Sequence, residues 1–380
     1  MDYVFLSTII AFVITFAAIP IIIRVAELKN LLDIPDDRKI HSNPIASLGG
    51  IGIFGGFILS ILITLPFGNS EMQFILASFL IIFFLGLKDD IVVLTASKKF
   101  LGQLLAAGIL VFKGNFLITG MHGFLGIHEF PTAVAIVFTF FTIIVITNSF
   151  NLIDGVDGLA GTLALFSTFI FGSYFLLSNE LFYAVLAFSM CSSILAFLIF
   201  NISPAKIFMG DTGSLLVGIV NAILVIKFIE IATRTNALIP LPSAPALGFA
   251  VLFVPLFDTL RIFSFRVLHR RSPFSPDKNH VHHLLLEKGC SHPTVTLIAV
   301  AFNIIIAIIT YFLKFLDNTT LLLSLISTGF ISIGLLIYSN KNARIQFLEK
   351  ALNRKSDGGD LKVINIEKEN ELRKTGNDLR

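Results

Sequence analysis

Eleven stretches of this 380-residue chain are apolar enough, or nearly so, to cross a lipid bilayer, and no other feature constrains its fold as much. A helix needs about 20 mostly apolar residues to span the hydrocarbon core. The candidates lie near 3–23, 48–67, 72–87, 100–112, 131–147, 158–177, 181–200, 213–232, 244–265, 294–315 and 319–338. In lipid the backbone has no water to bond, so runs of this length must be helices that satisfy their own N–H and C=O groups. The expected fold class is therefore an all-α polytopic membrane protein with about eleven transmembrane helices. Composition agrees: 14% of the residues are charged, against about a quarter in a soluble domain. The first run has no basic lead and no small-residue cleavage site, so it is read as a retained span and not a signal peptide. Cys191 and Cys290 have no metal-type or disulfide-type partner pattern and are expected to be free thiols.

Lys and Arg collect in cytoplasmic loops, and this asymmetry sets orientation. Alternate loops carry Arg24, Lys29, Arg38, Lys39, then Lys88, Lys98, Lys99, then Lys206, then Arg266, Arg270, Arg271, Lys278 and Lys288, against Lys113 and Arg234 on the opposite side. The N-terminus is thus expected outside and the C-terminus in the cytoplasm. Residues 1–338 form the expected membrane domain. Residues 339–380 form a charged tail, read as a short amphipathic helix followed by disorder. The external segment 113–131 alternates enough to suggest a small β-hairpin, with His122 and His128 at its surface.

This topology places every acid-rich or His-rich loop on one side, so the active site is expected in the cytoplasmic loops. "KDD" ends in Asp89 and Asp90, which either are solvated or share a cation. "NSFNLIDGVDGLAG" spaces Asn151, Asp154 and Asp157 three residues apart, which on a helical turn would point them to one face. Alternatively, Asp157 caps the following helix. "FMGDTGS" sets Asp211 between glycines at another helix start, with Thr212 and Ser214 available as caps. Mg²⁺ binds through one or two carboxylates plus phosphate oxygens, so Asp211 could be a cap or a metal ligand. "DKNHVHH" adds His280, His282 and His283 beside basic residues, a set suited to phosphate and sugar oxygens more than to a closed zinc site. Inside the spans, Lys227 with Glu230 and Asp258 with Arg261 are opposite charges three residues apart, which read as self-neutralising pairs. Together these loops suggest Mg²⁺-assisted chemistry on phosphates, with a membrane lipid as one substrate.

The ordered set His41, Pro44, Gly49 and Gly50, then Gly86, Asp89 and Asp90, then residues 148–161, 208–214 and 277–283 resembles the polyprenyl-phosphate N-acetylhexosamine-1-phosphate transferases of the glycosyltransferase family 4 type. The likeness runs from about residue 20 to 335. The His-x-His-His ending is similar to the branch that transfers N-acetylglucosamine-1-phosphate to undecaprenyl phosphate. Ala46 and Ser47 depart from it, standing where proline and a basic residue are common. The resemblance implies a Mg²⁺-dependent enzyme, with Mn²⁺ as an alternative ion, that moves N-acetylhexosamine-1-phosphate from a UDP-N-acetylhexosamine to undecaprenyl phosphate and releases UMP. It implies a multi-pass protein of the inner (cytoplasmic) membrane, no nucleic-acid partner, and leaves a homodimer open. By position, Asp211 resembles the metal ligand, and Asp89, with Asp90 beside it, resembles the catalytic pair. Asn151, Asp154, Asp157, Phe208, Lys39, His41, His280, His282 and His283 resemble substrate contacts, with Phe208 as the uracil-stacking ring.

Three other readings compete. A phospho-N-acetylmuramoyl-pentapeptide transferase would show three consecutive histidines. A CDP-alcohol phosphotransferase would place Ala-Arg after its first Asp-Gly and have fewer spans. A secondary transporter would carry internal repeats and midplane ion sites, and no repeat is visible.

Overall fold

The computed structural model describes residues 2–33, 44–66, 70–268 and 280–356. The chain divides into two compact units, Met1–Phe330 and Ile331–Arg380. Thirteen helices occur among the described residues: α1 (Asp2–Leu28), α2 (Gly49–Thr64), α3 (Ser70–Ile91), α4 (Ala96–Phe112), α5 (Thr132–Ile153), α6 (Leu159–Leu177), α7 (Leu181–Asn201), α8 (Gly210–Ala232), α9 (Ala244–Val251), α10 (Phe253–Leu268), α11 (Val281–Glu287), α12 (His292–Phe312) and α13 (Asn318–Ser356). Two short strands, β1 (Leu32–Asp33) and β2 (Ile45–Ala46), pair antiparallel, and Ala46 also bridges Ile207 in parallel. In the second unit the described residues are the continuation of α13 to Ser356. Lys39 and His41 lie outside the described residues, as do Arg270, Arg271 and Lys278.

Each of the eleven apolar runs coincides with helix. Among the described residues seven helices are by themselves long and apolar enough to cross a membrane, or eight if one bent pair counts as a single span. The chain is a multi-pass helical membrane protein. The run at 244–265 is not one continuous helix as expected: α9 and α10 meet at 87°. Hydropathy cannot reveal such a break, because both halves are equally apolar. The cause is local. Pro255 has no N–H to offer the Val251 carbonyl one turn back. Asn303 of α12, fully buried, fills the gap: its Nδ2 donates to Val251 O at 2.9 Å and its Oδ1 accepts from Val254 N at 2.8 Å. A buried side chain thus supplies what the broken backbone lacks.

α8 runs through the centre of the first unit, packed against α2, α3, α5, α6, α7 and α9. Only Gly210, Asp211, Ile229 and Glu230, at its two ends, escape full burial. Close crossings depend on small residues, as is usual between helices in lipid. A Cβ on Gly86 of α3 would sit 2.5 Å from Thr212 Cα. Near the far end, buried Lys227 pairs with Glu230 at 3.0 Å, as the spacing suggested, and with Glu71 of α3 at 3.4 Å.

Segment 113–131 does not form the expected hairpin. It is a series of turns with one isolated bridge, Phe124 to Ile127, and left-handed residues at His122 and Leu125. Some backbone bonds stay within the segment, as from Phe130 N to Thr119 O at 2.8 Å and from Gly123 N to Ile127 O at 2.9 Å, and others reach the start of α13: Leu125 N donates to Thr319 Oγ1 at 2.9 Å, and His122 O accepts from Asn318 at 2.8 Å.

Candidate active site

Four residues, 92–95, join α3 to α4, so the last turn of α3 lies beside the first turn of α4. Asp89 accepts a bond from Leu94 N and pairs with Lys99 Nζ at 2.6 Å. The same ammonium bonds Asp211, in the first turn of α8. Asp211 is held from a third side by Asn151 of α5, whose Nδ2 donates to its Oδ1 at 2.7 Å and to Ser214 Oγ at 2.9 Å. α3, α4, α5 and α8 therefore converge on one group of side chains.

Asp90 engages the open end of α8 through the backbone. Its Oδ1 accepts from Asp211 N at 2.7 Å; its Oδ2 accepts from Thr212 N at 3.0 Å and from the Thr212 hydroxyl. The first N–H groups of a helix have no partner within it and carry positive partial charge. Asp90 satisfies two of them from a separate helix. Thr212 and Ser214 are accordingly not the caps that the sequence suggested: the residue preceding α8 makes no side-chain capping bond. Gly210 makes the fit possible. It takes φ +70°, and a Cβ there would meet both Asp90 oxygens at 2.8 Å.

The turn after α5 departs from the expected single helical face. The helix stops at Ile153, so Asp154 and Asp157 follow in irregular backbone. Asp154 is half-buried and has no hydrogen-bond partner among the described residues. Burial, together with the charges of Asp211, Asp90 and Asp157, pushes its carboxyl up to about 8. Asp157 does not cap α6: Gly158 holds that position, at φ +75°, without a side-chain bond.

Phe208 is positioned by the small strand assembly. Its N–H donates to Ala46 O at 2.7 Å, and its carbonyl accepts from Gly49 N at 3.0 Å. The ring thus belongs to the segment that leads directly into Asp211.

His280 and His282 are buried, and α11 begins between them. Asp258 of α10 holds the first: its Oδ2 lies 2.8 Å from His280 Nδ1, and its Oδ1 accepts from Val281 N at 3.2 Å. Asp258 also pairs with Arg261 at 2.9 Å, as expected from their spacing. His282 stacks on His280 at 5.6 Å between ring centres and lies 4.3 Å from His283. Its ring covers the turn after α5 so closely that a Cβ on Gly155 would come within 2.7 Å of Nε2. Burial, then His283 and His280, pull the His282 imidazole down to about 3, so it is neutral at physiological pH. Its Nδ1 is buried and has no hydrogen-bond partner among the described residues, an atom that a substrate oxygen could satisfy.

The structure thus brings Asp89, Asp90, Asn151 and Asp211 into one bonded group, sets Asp154 in their field, and lays His282 over the adjoining turn. Lys99 is the residue that sequence reasoning undervalued, since it served there only as a marker of sidedness. Its spacing of ten residues from Asp89 across a short turn was the available signal.

Among the described residues no three His, Cys, Asp or Glu side chains form a ready metal site. The donor set nevertheless suits Mg²⁺. Two carboxylates, Asp89 and Asp211, already share one cationic group, the Lys99 ammonium. Hard oxygen donors of this kind, completed by phosphate oxygens, are what Mg²⁺ takes.

Comparison with known proteins gives a consistent set of relatives. A family model described as glycosyl transferase family 4 matches residues 72–229. The chain is 32% identical over 330 residues to a probable undecaprenyl-phosphate N-acetylglucosaminyl 1-phosphate transferase of Bacillus subtilis (strain 168), covering 86% of this chain and 89% of that one. It is 32% identical over 366 residues to a decaprenyl-phosphate N-acetylglucosaminephosphotransferase of Mycobacterium leprae (strain TN), covering 90% of each. Similarity to an undecaprenyl-phosphate alpha-N-acetylglucosaminyl 1-phosphate transferase of Escherichia coli (strain K12) is 27% over 271 residues, 70% of this chain and 72% of that one.

Proposed function

The chain belongs to glycosyl transferase family 4, among the polyprenyl-phosphate N-acetylhexosamine-1-phosphate transferases, and from this premise we propose the reaction it performs. It transfers N-acetylglucosamine-1-phosphate from UDP-N-acetylglucosamine to undecaprenyl phosphate. An oxygen of the lipid phosphate attacks the sugar-linked phosphorus. The bond from that phosphorus to the bridging oxygen of the donor diphosphate breaks, UMP leaves with that oxygen and the electron pair, and a polyprenyl diphosphate sugar remains. The observation that carries this reading is the convergence of Asp89, Asn151, Asp211 and Lys99 at one end of an apolar helix bundle.

Phosphoryl transfer needs positioning and charge compensation more than covalent help. Asp89 and Asp211 are the residues that would hold Mg²⁺, which when bound offsets the charge of the donor diphosphate. Lys99 supplies a second, fixed positive charge. Asn151 orients the Asp211 carboxylate, and Asp90 fixes the helix start that carries it. A phosphate monoester has its second pKa near 6, so the lipid phosphate is already largely dianionic at neutral pH, and Asp89 is assigned to charge and orientation more than to proton removal. Asp154, protonated over much of the neutral range, offers an O–H to a donor oxygen. Phe208 stacks on uracil. His280, His282 and His283 contact the diphosphate or sugar, and Lys39 and His41 complete the donor contacts.

The Lys and Arg asymmetry supports an active site facing the cytoplasm, an external N-terminus and about eleven crossings of the inner membrane. Residues 1–338 carry the reaction and 339–380 form a cytoplasmic tail. The test is a donor panel with purified protein, undecaprenyl phosphate and Mg²⁺, scored by UMP release. UDP-N-acetylglucosamine should be the preferred donor. Absence of UMP release from every UDP-N-acetylhexosamine would refute the reading, and preference for a UDP-muramoyl peptide would move the chain to the pentapeptide branch.

A further inference from the structure

The two aspartates of the "NLIDGVDG" turn have different surroundings. Asp154 is unpartnered and faces the acidic group described above. Asp157, three residues on, is engaged on several sides. Its Oδ1 stands 3.3 Å from Nδ1 of His292, in the first turn of α12. Its Oδ2 accepts from Ala205 N at 3.4 Å. Its carbonyl accepts from Thr296 Oγ1 at 3.0 Å, one helical turn beyond His292. The next residue continues the pattern: Gly158 N donates to Asn201 Oδ1 at 2.9 Å, and Asn201 Nδ2 donates to Ile207 O at 2.8 Å, immediately before Phe208.

Both partners are largely shielded, the His292 side chain at 20% exposure and that of Asp157 at 13%. Both ring nitrogens of His292 are buried and neither has a hydrogen-bond partner among the described residues; the polar contact of the ring is the ion pair of Nδ1 with Asp157. Burial alone would raise the Asp157 carboxyl; the contacts with His292, Ala205 and Ser203 outweigh it and hold the group below its ordinary value. A carboxylate drawn inward in this way is a tie between elements.

We propose that Asp157 and His292 form a positioning lock that joins the start of α12 to the donor turn and to the segment carrying Phe208, and that Asp157 does not itself contact substrate. With His282 laid against Gly155 from α11, the turn is held by both helices that follow the His-rich loop. The lock sets where Asp154 and Phe208 stand. This inference rests on the transferase reading and gives the two aspartates of one motif separate roles.

Steady-state kinetics on the full-length chain test it. An asparagine places its amide N–H near the position of Nδ1, whereas glutamine reaches toward that of Nε2. His292→Ala should raise the KM for UDP-N-acetylglucosamine about tenfold while the KM for lipid phosphate changes less than about twofold. His292→Asn should recover most of the loss and His292→Gln should not. The double variant Asp157→Ala/His292→Ala should be no worse than the poorer single variant, because residues acting as one unit are not additive. Wild-type donor KM in His292→Ala, equal defects in the Asn and Gln variants, or additive defects would each overturn the lock. A wild-type chain that releases no UMP from any donor defeats the transferase reading instead. The lock is then judged by melting temperatures of the same variants, where non-additive losses support it and additive losses overturn it.

Discussion

Asp90 and Asp89 are adjacent in sequence, yet replacing each by asparagine should have different consequences. Asp90 accepts three bonds from the first turn of α8, one through Oδ1 and two through Oδ2. Asparagine has one oxygen, so it can keep either the Asp211 N bond or the Thr212 pair, and its amide N–H₂ would oppose the donor left behind. A hydrogen bond to a charged group contributes about 1.5–3 kcal/mol, and favourable charge at a helix N-terminus adds about 0.5 kcal/mol. The loss should be about 3 kcal/mol. For a unit of this size that corresponds to a fall in melting temperature of about 4 °C. Because Asp211 sits in the loosened turn, transfer should fall roughly a hundredfold as well. Thermal unfolding in detergent and UMP release, measured on the same preparation, check both. Asp89→Asn leaves α8 capped and should lose activity with little change in melting. If Asp90→Asn lost activity while melting within about 1 °C of wild type, the capping argument would be wrong and Asp90 would have to act on substrate directly.

Asp211→Asn should lower turnover at least a hundredfold and flatten its dependence on Mg²⁺ concentration; near-normal turnover would remove Asp211 from the metal site. Phe208→Ala should raise the KM for the UDP-sugar more than that for the lipid phosphate, and equal effects on both would count against stacking. The depressed His282 gives a pH dependence of stability. The folded state favours neutral imidazole, so the contribution is fully present above the unfolded value near 6.5 and declines as pH falls toward about 3. Between pH 6.5 and 5 that slope amounts to about 2 kcal/mol, so wild-type melting should fall more steeply over this interval than that of His282→Gln. Parallel melting curves would place His282 in a more solvated setting.

Much of this protein could be read from order and spacing. The apolar runs determined that the chain is helical and crosses a membrane repeatedly, because lipid leaves an extended apolar backbone no other way to satisfy its polar groups. The charged and histidine motifs were likewise visible as interruptions of that pattern, and their order identified the family. Lys227 with Glu230 and Asp258 with Arg261 were legible because a helix brings residues three apart together.

What the one-dimensional pattern could not contain was the pairing of groups far apart in sequence. Whether Asp90 is a reactive acid or a cap for α8 depends on where Gly86 and Gly210 let two helices meet. The break between α9 and α10 starts from Pro255, but the backbone groups it frees are satisfied by Asn303, some fifty residues away. The two aspartates of one short motif are equivalent as letters, but the end of α5 at Ile153 and the approach of His292 separate them. Sequence determined which segments enter the membrane, since that follows from local transfer free energy. Tertiary structure decided what each polar side chain does there, since a buried charge takes its role from the partners that packing brings within reach.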